Sequence, residues 1–222
     1  GTRYHSLQLK LLRSFSGGYS VIMGYNYSRQ QDQAFFDNVD SFLKEFTWQE
    51  NNRPRHRLNL AGTWEVPVGR GRRHLSGMPR WLDAAAGGWD LTGFMSWRSG
   101  FFVRFGALVV NGDPVLGNPT PQRWFNTAAF AQMPPYTRRT NPWQYEGLTN
   151  PGLFSLDSSI VKRIAVTERL RSELRMDVFN TLNNMTWADP NTNVLSSTFG
   201  QSTNQLANTY GRRVQLGLRL EF

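Results

Sequence analysis

The ten residues Arg213-Val214-Gln215-Leu216-Gly217-Leu218-Arg219-Leu220-Glu221-Phe222 constrain the fold more than any other stretch of the chain. In an extended backbone successive side chains point to opposite sides. Val214, Leu216, Leu218, Leu220 and Phe222 therefore share one face, and Arg213, Gln215, Gly217, Arg219 and Glu221 share the other. The alternation persists to the last residue and finishes on an aromatic. Chain ends fray and are polar unless something ties them down. This end is expected to be held in a sheet with its apolar side covered.

The same period of two recurs upstream. Strands are expected over residues 4–13, 18–28, 57–66, 88 to about 105, 155–164, 170–180 and 210–222. In the second, Tyr19, Val21, Met23, Tyr25 and Tyr27 align; in the third, Leu58, Leu60, Gly62, Trp64 and Val66. In the fourth, Trp89, Leu91, Met95, Trp97, Phe101 and Val103 oppose Asp90, Thr92, Ser96, Arg98 and Arg104. Lys162 breaks the pattern by sharing a face with Leu156, Ile160 and Ile164. On lipid a midplane lysine would cost about 2–4 kcal/mol, so its ammonium is expected to snorkel to headgroups near the turn at Ala165, a register break being the other possibility.

The connections alternate in length: 14–17 is short, 29–56 long, 67–87 intermediate, 106–154 long, 165–169 short and 181–209 long. Compact soluble domains rarely carry several long loops without structure of their own. Outer-membrane barrels pair short periplasmic turns with long outer loops, and with the C-terminus periplasmic every long loop falls outside. No run of eighteen apolar residues is present for a transmembrane helix, and averaging hydropathy scales hide the polar half of a barrel strand. Trp89 and Trp97 stand about 21 Å apart along the membrane normal at a tilt of about 40°, close to the spacing of two aromatic girdles. The chain reads as all-β: an antiparallel up-and-down transmembrane barrel segment of about seven strands.

Composition removes other classes. With no cysteine there is no thiol catalysis, disulfide or thiolate metal site. His5, His56 and His74 are isolated, and neither a nucleophile elbow nor a P-loop occurs. Asp189-Pro190-Asn191-Thr192-Asn193 begins like a calcium loop, but Val194 occupies the place of the turn glycine, and the stretch reads as an Asx/Pro turn. No enzyme, cofactor or metal site is expected. The formal charge of +9 favours polyanionic neighbours. Its positives are spread along the chain, which argues against nucleic acid and for lipid phosphates and lipopolysaccharide. Gly69-Arg70-Gly71-Arg72-Arg73 reads as a solvated turn touching headgroups.

Several stretches together resemble the barrel end of TonB-dependent outer-membrane receptors, in particular the Oar-like branch, whose members carry a carboxypeptidase-regulatory-like domain. They are 53–73 (from Arg53-Pro54-Arg55-His56 to Arg70-Gly71-Arg72-Arg73), Gly87-Gly88-Trp89-Asp90-Leu91-Thr92-Gly93, Trp124-Phe125-Asn126-Thr127-Ala128-Ala129-Phe130, 168–180 (Glu168 to Asn180) and the terminal strand. The resemblance implies a 22-stranded barrel around an N-terminal plug, energised through a periplasmic TonB contact. Residues 1–222 would be the C-terminal part of that barrel, without plug or TonB box, its last strand recognised by the barrel-assembly machinery. Transport of a large, unidentified solute is implied for the whole.

Within that frame the polar-face residues Arg98, Arg171, Glu173, Arg175, Asp177, Arg213, Arg219 and Glu221 are candidates to face the lumen and plug, those of the last two strands pairing across strands. The other reading of them is solvation of a wet lumen. Val214, Leu216, Leu218, Leu220 and Phe222 form the lipid-facing side of the closing strand. Trp48, Trp124, Phe125, Trp143 and Tyr145 are candidates to grip a solute from the outer loops, or else to pack the loops on each other. The rival reading of the whole is a soluble secreted β-sandwich that binds carbohydrate through loop aromatics.

Overall fold

A computed structural model describes residues 1–34, 47–137, 139, 141–165, 167 and 170–222. Its elements are β1 (Thr2–Ser16), β2 (Tyr19–Ala34), β3 (Thr47–Glu50), β4 (His56–Glu65), α1 (Arg80–Ala86), β5 (Trp89–Arg98), β6 (Leu108–Val110), β7 (Phe130–Gln132), β8 (Leu153–Ala165), β9 (Arg171–Phe179) and β10 (Arg213–Glu221). Seven long strands lie side by side in chain order, β1-β2-β4-β5-β8-β9-β10, each antiparallel to the next. Short β3 extends the outer end of β2. Among the described residues the sheet is open along β1 and β10.

Register carries the sequence alternation across the whole wall. Leu11, Met23, Leu60, Met95 and Leu156 form one row through five strands. Ser20, Thr63, Thr92, Ser159, Asp177 and Gln215 form another on the opposite face. Because side-chain direction has a period of two, a one-residue slip anywhere would mix these rows. None occurs between β2 and β10.

The apolar face has no second sheet over it among the described residues: Leu216 is 76% and Leu218 64% exposed. A β-sandwich needs an inner face covered at about 10 Å, so the soluble rival is not favoured. Aromatics edge this face at both ends. Tyr19 pairs with Trp64 near the short turns, while Tyr25, Leu58, Trp97 and Phe154 align toward the long loops. Beside them His56 packs on Tyr27 at 5.0 Å and accepts or donates a 2.9 Å hydrogen bond with Tyr25. Amphipathic rings of this kind sit at membrane–water boundaries.

Two expectations need correction. The fourth strand does not run to Phe105; β5 stops at Arg98. At Gly100 the backbone of Asn150 approaches so closely that any Cβ would collide with its carbonyl, which turns the chain off the wall. Phe101 and Val103 consequently leave the lipid-facing side, and Val103 is buried in a loop core. Lys162 does not reach headgroups. It holds register opposite Trp89 and Leu174, is 4% exposed, and donates from Nζ to the Gly87 carbonyl beside the Trp89 ring. The intermediate connection over 67–87 carries α1, held by Trp89 Nε1 donating to the Ala85 carbonyl at 3.0 Å.

Candidate functional site: the polar wall and its outer mouth

Charges on the wall meet through register. Asp90 on β5 is 8% exposed, and one strand away Arg163 donates to it from Nη1. The same guanidinium reaches Glu173 on β9 at 3.2 Å through Nε, since Arg163 stands directly opposite Glu173. One cation thus bridges three strands. Arg175 holds both oxygens of its own-strand neighbour Asp177 at 2.9 Å, and Arg219 pairs with Glu221 at 3.1 Å.

The ladder expected between the last two strands forms differently. Arg219 stands opposite Glu173 and Glu221 opposite Arg171, yet Glu173 turns to Arg163 and Arg219 to Glu221. Arg171 has no ion-pair partner among the described residues, and Arg213 lies over the Tyr210 ring at 4.4 Å. Arg98 lies at the outer end of the wall opposite Arg57, its guanidinium 4.9 Å over Phe101 and its Nη1 buried without a hydrogen-bond partner among the described residues. Sequence reading missed Arg163 as the hub. Its signal was available: it alternates with Lys162 and shares the face of Asp157 and Ser159.

Above the wall residues 99–152 and the loop after β9 fold into one body. Val103, Phe105, Leu108, Phe125, Ala129, Phe130 and Leu148 form a buried core within residues 99–152. Phe105 stacks on Phe130 at 4.6 Å, and Phe199 from the next outer loop sits edge-on to Phe125 at 5.2 Å. Trp124 N donates to the Gly200 carbonyl and Ser202 N to that of Pro121, both at 2.7 Å. Burying one phenylalanine contributes about 1.5–3 kcal/mol, so this cluster gives the loops a core of their own.

That packing decides which loop aromatics are accessible. Phe125 is 0% exposed and cannot touch a solute, a correction to its candidacy. Trp124 is half-buried with Nε1 donating to the Thr149 carbonyl at 2.7 Å. Tyr145 packs edge-on to Phe105 at 5.7 Å, and burial pushes its phenol up from the ordinary value. Trp143 is 40% exposed under the Arg139 guanidinium at 3.5 Å, and Trp48 on β3 is half-buried under Arg3 at 3.8 Å. Asn191 organises the loop after β9, accepting from Asn193 N at 2.9 Å as an Asx turn does. Burial raises the Asp189 carboxyl, with Arg98 opposing the shift.

A charge clamp at the mouth was not anticipated. Glu50 at the end of β3 receives Arg29 from β2 and Arg55 at 2.6 Å. Arg55 also grips Glu146 in the loop body at 2.7 and 2.9 Å. Bidentate charge-assisted bonds are the strong kind; Arg55 is raised and Glu146 lowered, each chiefly by the other. Among the described residues no three His, Asp or Glu side chains converge as a metal site would.

Seven long strands in chain order, apolar toward one side and charged toward the other, edged by aromatics and topped by structured loops, define a wall of a transmembrane β-barrel. The chain belongs to the outer membrane beta barrel domain family, whose profile matches residues 1–215, and this points to the bacterial outer membrane. No curated protein and no solved structure matches it.

Proposed function

We propose that the chain is the C-terminal barrel portion of a TonB-dependent outer-membrane receptor of the Oar-like branch, taking up a large solute with energy delivered through TonB. The carrying observation is the pairing of a seven-strand wall, open along both edges, with a charged inner face. Open strand edges are not tolerated in lipid, so further strands of the same barrel close the wall. With the 22 strands that the family branch implies, that barrel encloses a lumen of the size that plugs fill. The ordered stretches from 53–73 to the terminal strand support the same family branch.

In this reading Arg175, Asp177, Glu173 and Arg219 meet the plug, and β10 presents the closing strand to the assembly machinery. The exposed ring of Trp143 and the half-buried rings of Trp48 and Tyr145 contact solute at the mouth. Lipopolysaccharide surrounds the outer loops. The protein passes its solute on without chemical change.

The test is a photo-crosslinking residue at position 175 of the full-length protein in native outer membranes. A crosslink to an N-terminal segment of the same chain is expected. Crosslinking to water-accessible small molecules alone, with no such intramolecular product, sinks the receptor reading.

A further inference from the structure

At the end of the wall bearing the short turns lies a cleft of about 1050 Å³. It sits between the 67–88 connection, the start of β9 and the end of β10. Arg70, Arg72, Arg80, Arg163 and Arg171 line it together with Trp81. The carboxylates lining it are already engaged. Asp83 accepts from Arg70 N at 2.7 Å, Glu173 holds Arg163, and Glu221 holds Arg219. Arg72 is likewise satisfied by Glu65 at 2.7 Å. The guanidinium groups of Arg70, Arg80 and Arg171 have no ion-pair partner among the described residues, and with Asp83 held only by a backbone N–H the lining still carries more cations than carboxylates.

Its walls are not wholly polar. Ile164 lines it from the lipid-facing side of β8, in the alternation of Leu156, Ile160 and Lys162. Trp81 stands 74% exposed on α1. The C-terminal end of α1 is fixed on that same side, through Trp89 Nε1 to Ala85 and Lys162 Nζ to Gly87. The cleft therefore wraps the turn-bearing end of the wall, from Arg163 and Arg171 on the polar face to Ile164 on the lipid-facing side, with Trp81 in its lining. Guanidinium groups recognise phosphate oxygens through paired N–H donors, and basic pockets at a membrane edge hold anionic headgroups. A free anion would leave the Ile164 and Trp81 sides unused.

We propose that this cleft binds one anionic phospholipid of the periplasmic leaflet, its phosphodiester on Arg70, Arg80 and Arg171 and an acyl chain along Ile164. Trp81 sits at the glycerol level. The bound lipid fixes the 67–88 connection against the membrane. The inference needs only the barrel's orientation and stands apart from the transport reading.

Native mass spectrometry of the full-length protein in detergent tests it, with thermal unfolding measured alongside. The probes are phosphatidylglycerol, phosphatidylcholine and inorganic phosphate, and the variants are Arg80→Gln with Arg171→Gln, Trp81→Ala, and Arg104→Gln on an outer loop as control. Wild type and the control are expected to retain phosphatidylglycerol and to gain thermal stability from it. The double variant is expected to lose at least fivefold in retention, and Trp81→Ala severalfold. Retention undiminished in the double variant overturns the proposal, as does equal retention of phosphatidylcholine. So does inorganic phosphate matching the stabilisation by lipid, which would make the cleft a site for free anions. If the double variant does not assemble, Trp81→Ala decides, because its ring is exposed and its loss opens no core; unchanged retention there is equally fatal.

Discussion

Arg55 holds Glu146 through both of its terminal nitrogens, at 2.7 and 2.9 Å, across 91 positions of sequence. The contact fastens the loop body to the connection between β3 and β4, and its acid response has a definite sign. Glu146 sits below its ordinary value of 4.5 because Arg55 donates to its charged form. A carboxylate lowered in the folded state stabilises above its unfolded pKa and loses that contribution as pH falls through the folded one. Between pH 6 and pH 3 the loop body of wild type should lose stability, followed by tryptophan fluorescence on heating. Glu146 is largely exposed, so the contribution is about 0.5 kcal/mol or less. Glu146→Gln should be weaker than wild type at pH 6 and show a smaller acid loss. An identical acid response in the two proteins would refute the role given to the clamp.

Removing the ring of Phe199 should uncouple the two outer loops. It is partly buried against Phe125 and Phe130. Phe199→Ala is expected to cost the loop body about 2–3 kcal/mol, below the usual range for a fully enclosed ring. Hydrogen exchange should accelerate at Phe105 and Phe130 while the amides of β8 and β9 keep their protection. Acceleration spread evenly over strands and loops would contradict a separate loop core.

The two faces of β10 should respond oppositely to the same charge. Leu218→Arg places a guanidinium on the apolar side and should cost about 2–4 kcal/mol in membrane-inserted stability. Gln215→Arg, three residues away on the polar side, should cost under about 1 kcal/mol. Urea unfolding of the full-length protein in vesicles measures both. Similar losses would mean the faces are wrongly assigned.

Arg163 is the hub of the wall, and Arg163→Gln leaves Asp90, 8% exposed, without its cation. An unsatisfied buried carboxylate costs about 1–3 kcal/mol or more, so unfolding in vesicles should shift by at least the lower figure. Arg163→Lys should recover part of the loss, because a lysine supplies charge without the fork that spans Asp90 and Glu173. A silent Arg163→Gln would show that solvent already satisfies the pair.

The strands were legible because lipid on one side and water on the other favour alternation, which runs through the seven long strands despite departures such as Lys162 on the apolar face and Leu12, Ile22 and Phe94 on the polar one. Their ends were not. β1 and β2 run to Thr2–Ser16 and Tyr19–Ala34, longer than read from sequence, because beyond the lipid both faces are wet and Arg29-Gln30-Gln31-Asp32 carries no alternation. Phe101 and Val103 mislead in the opposite direction by keeping the period after the chain has turned away at Gly100. Faces were readable but ion pairs were not. Whether Glu173 meets Arg219 or Arg163 depends on the rotamer chosen among two cross-strand neighbours. Lys162 marks the same limit, since its partner is a carbonyl 75 positions away.

The length of β2 has one more consequence. Sixteen residues at about 3.4 Å each and a tilt of about 40° rise roughly 42 Å, against an apolar band of about 25 Å. With Tyr19 at the inner boundary, the surplus of about 17 Å stands above the bilayer as a parapet. Whatever arrives from outside meets this raised collar first, in water and well clear of the acyl chains.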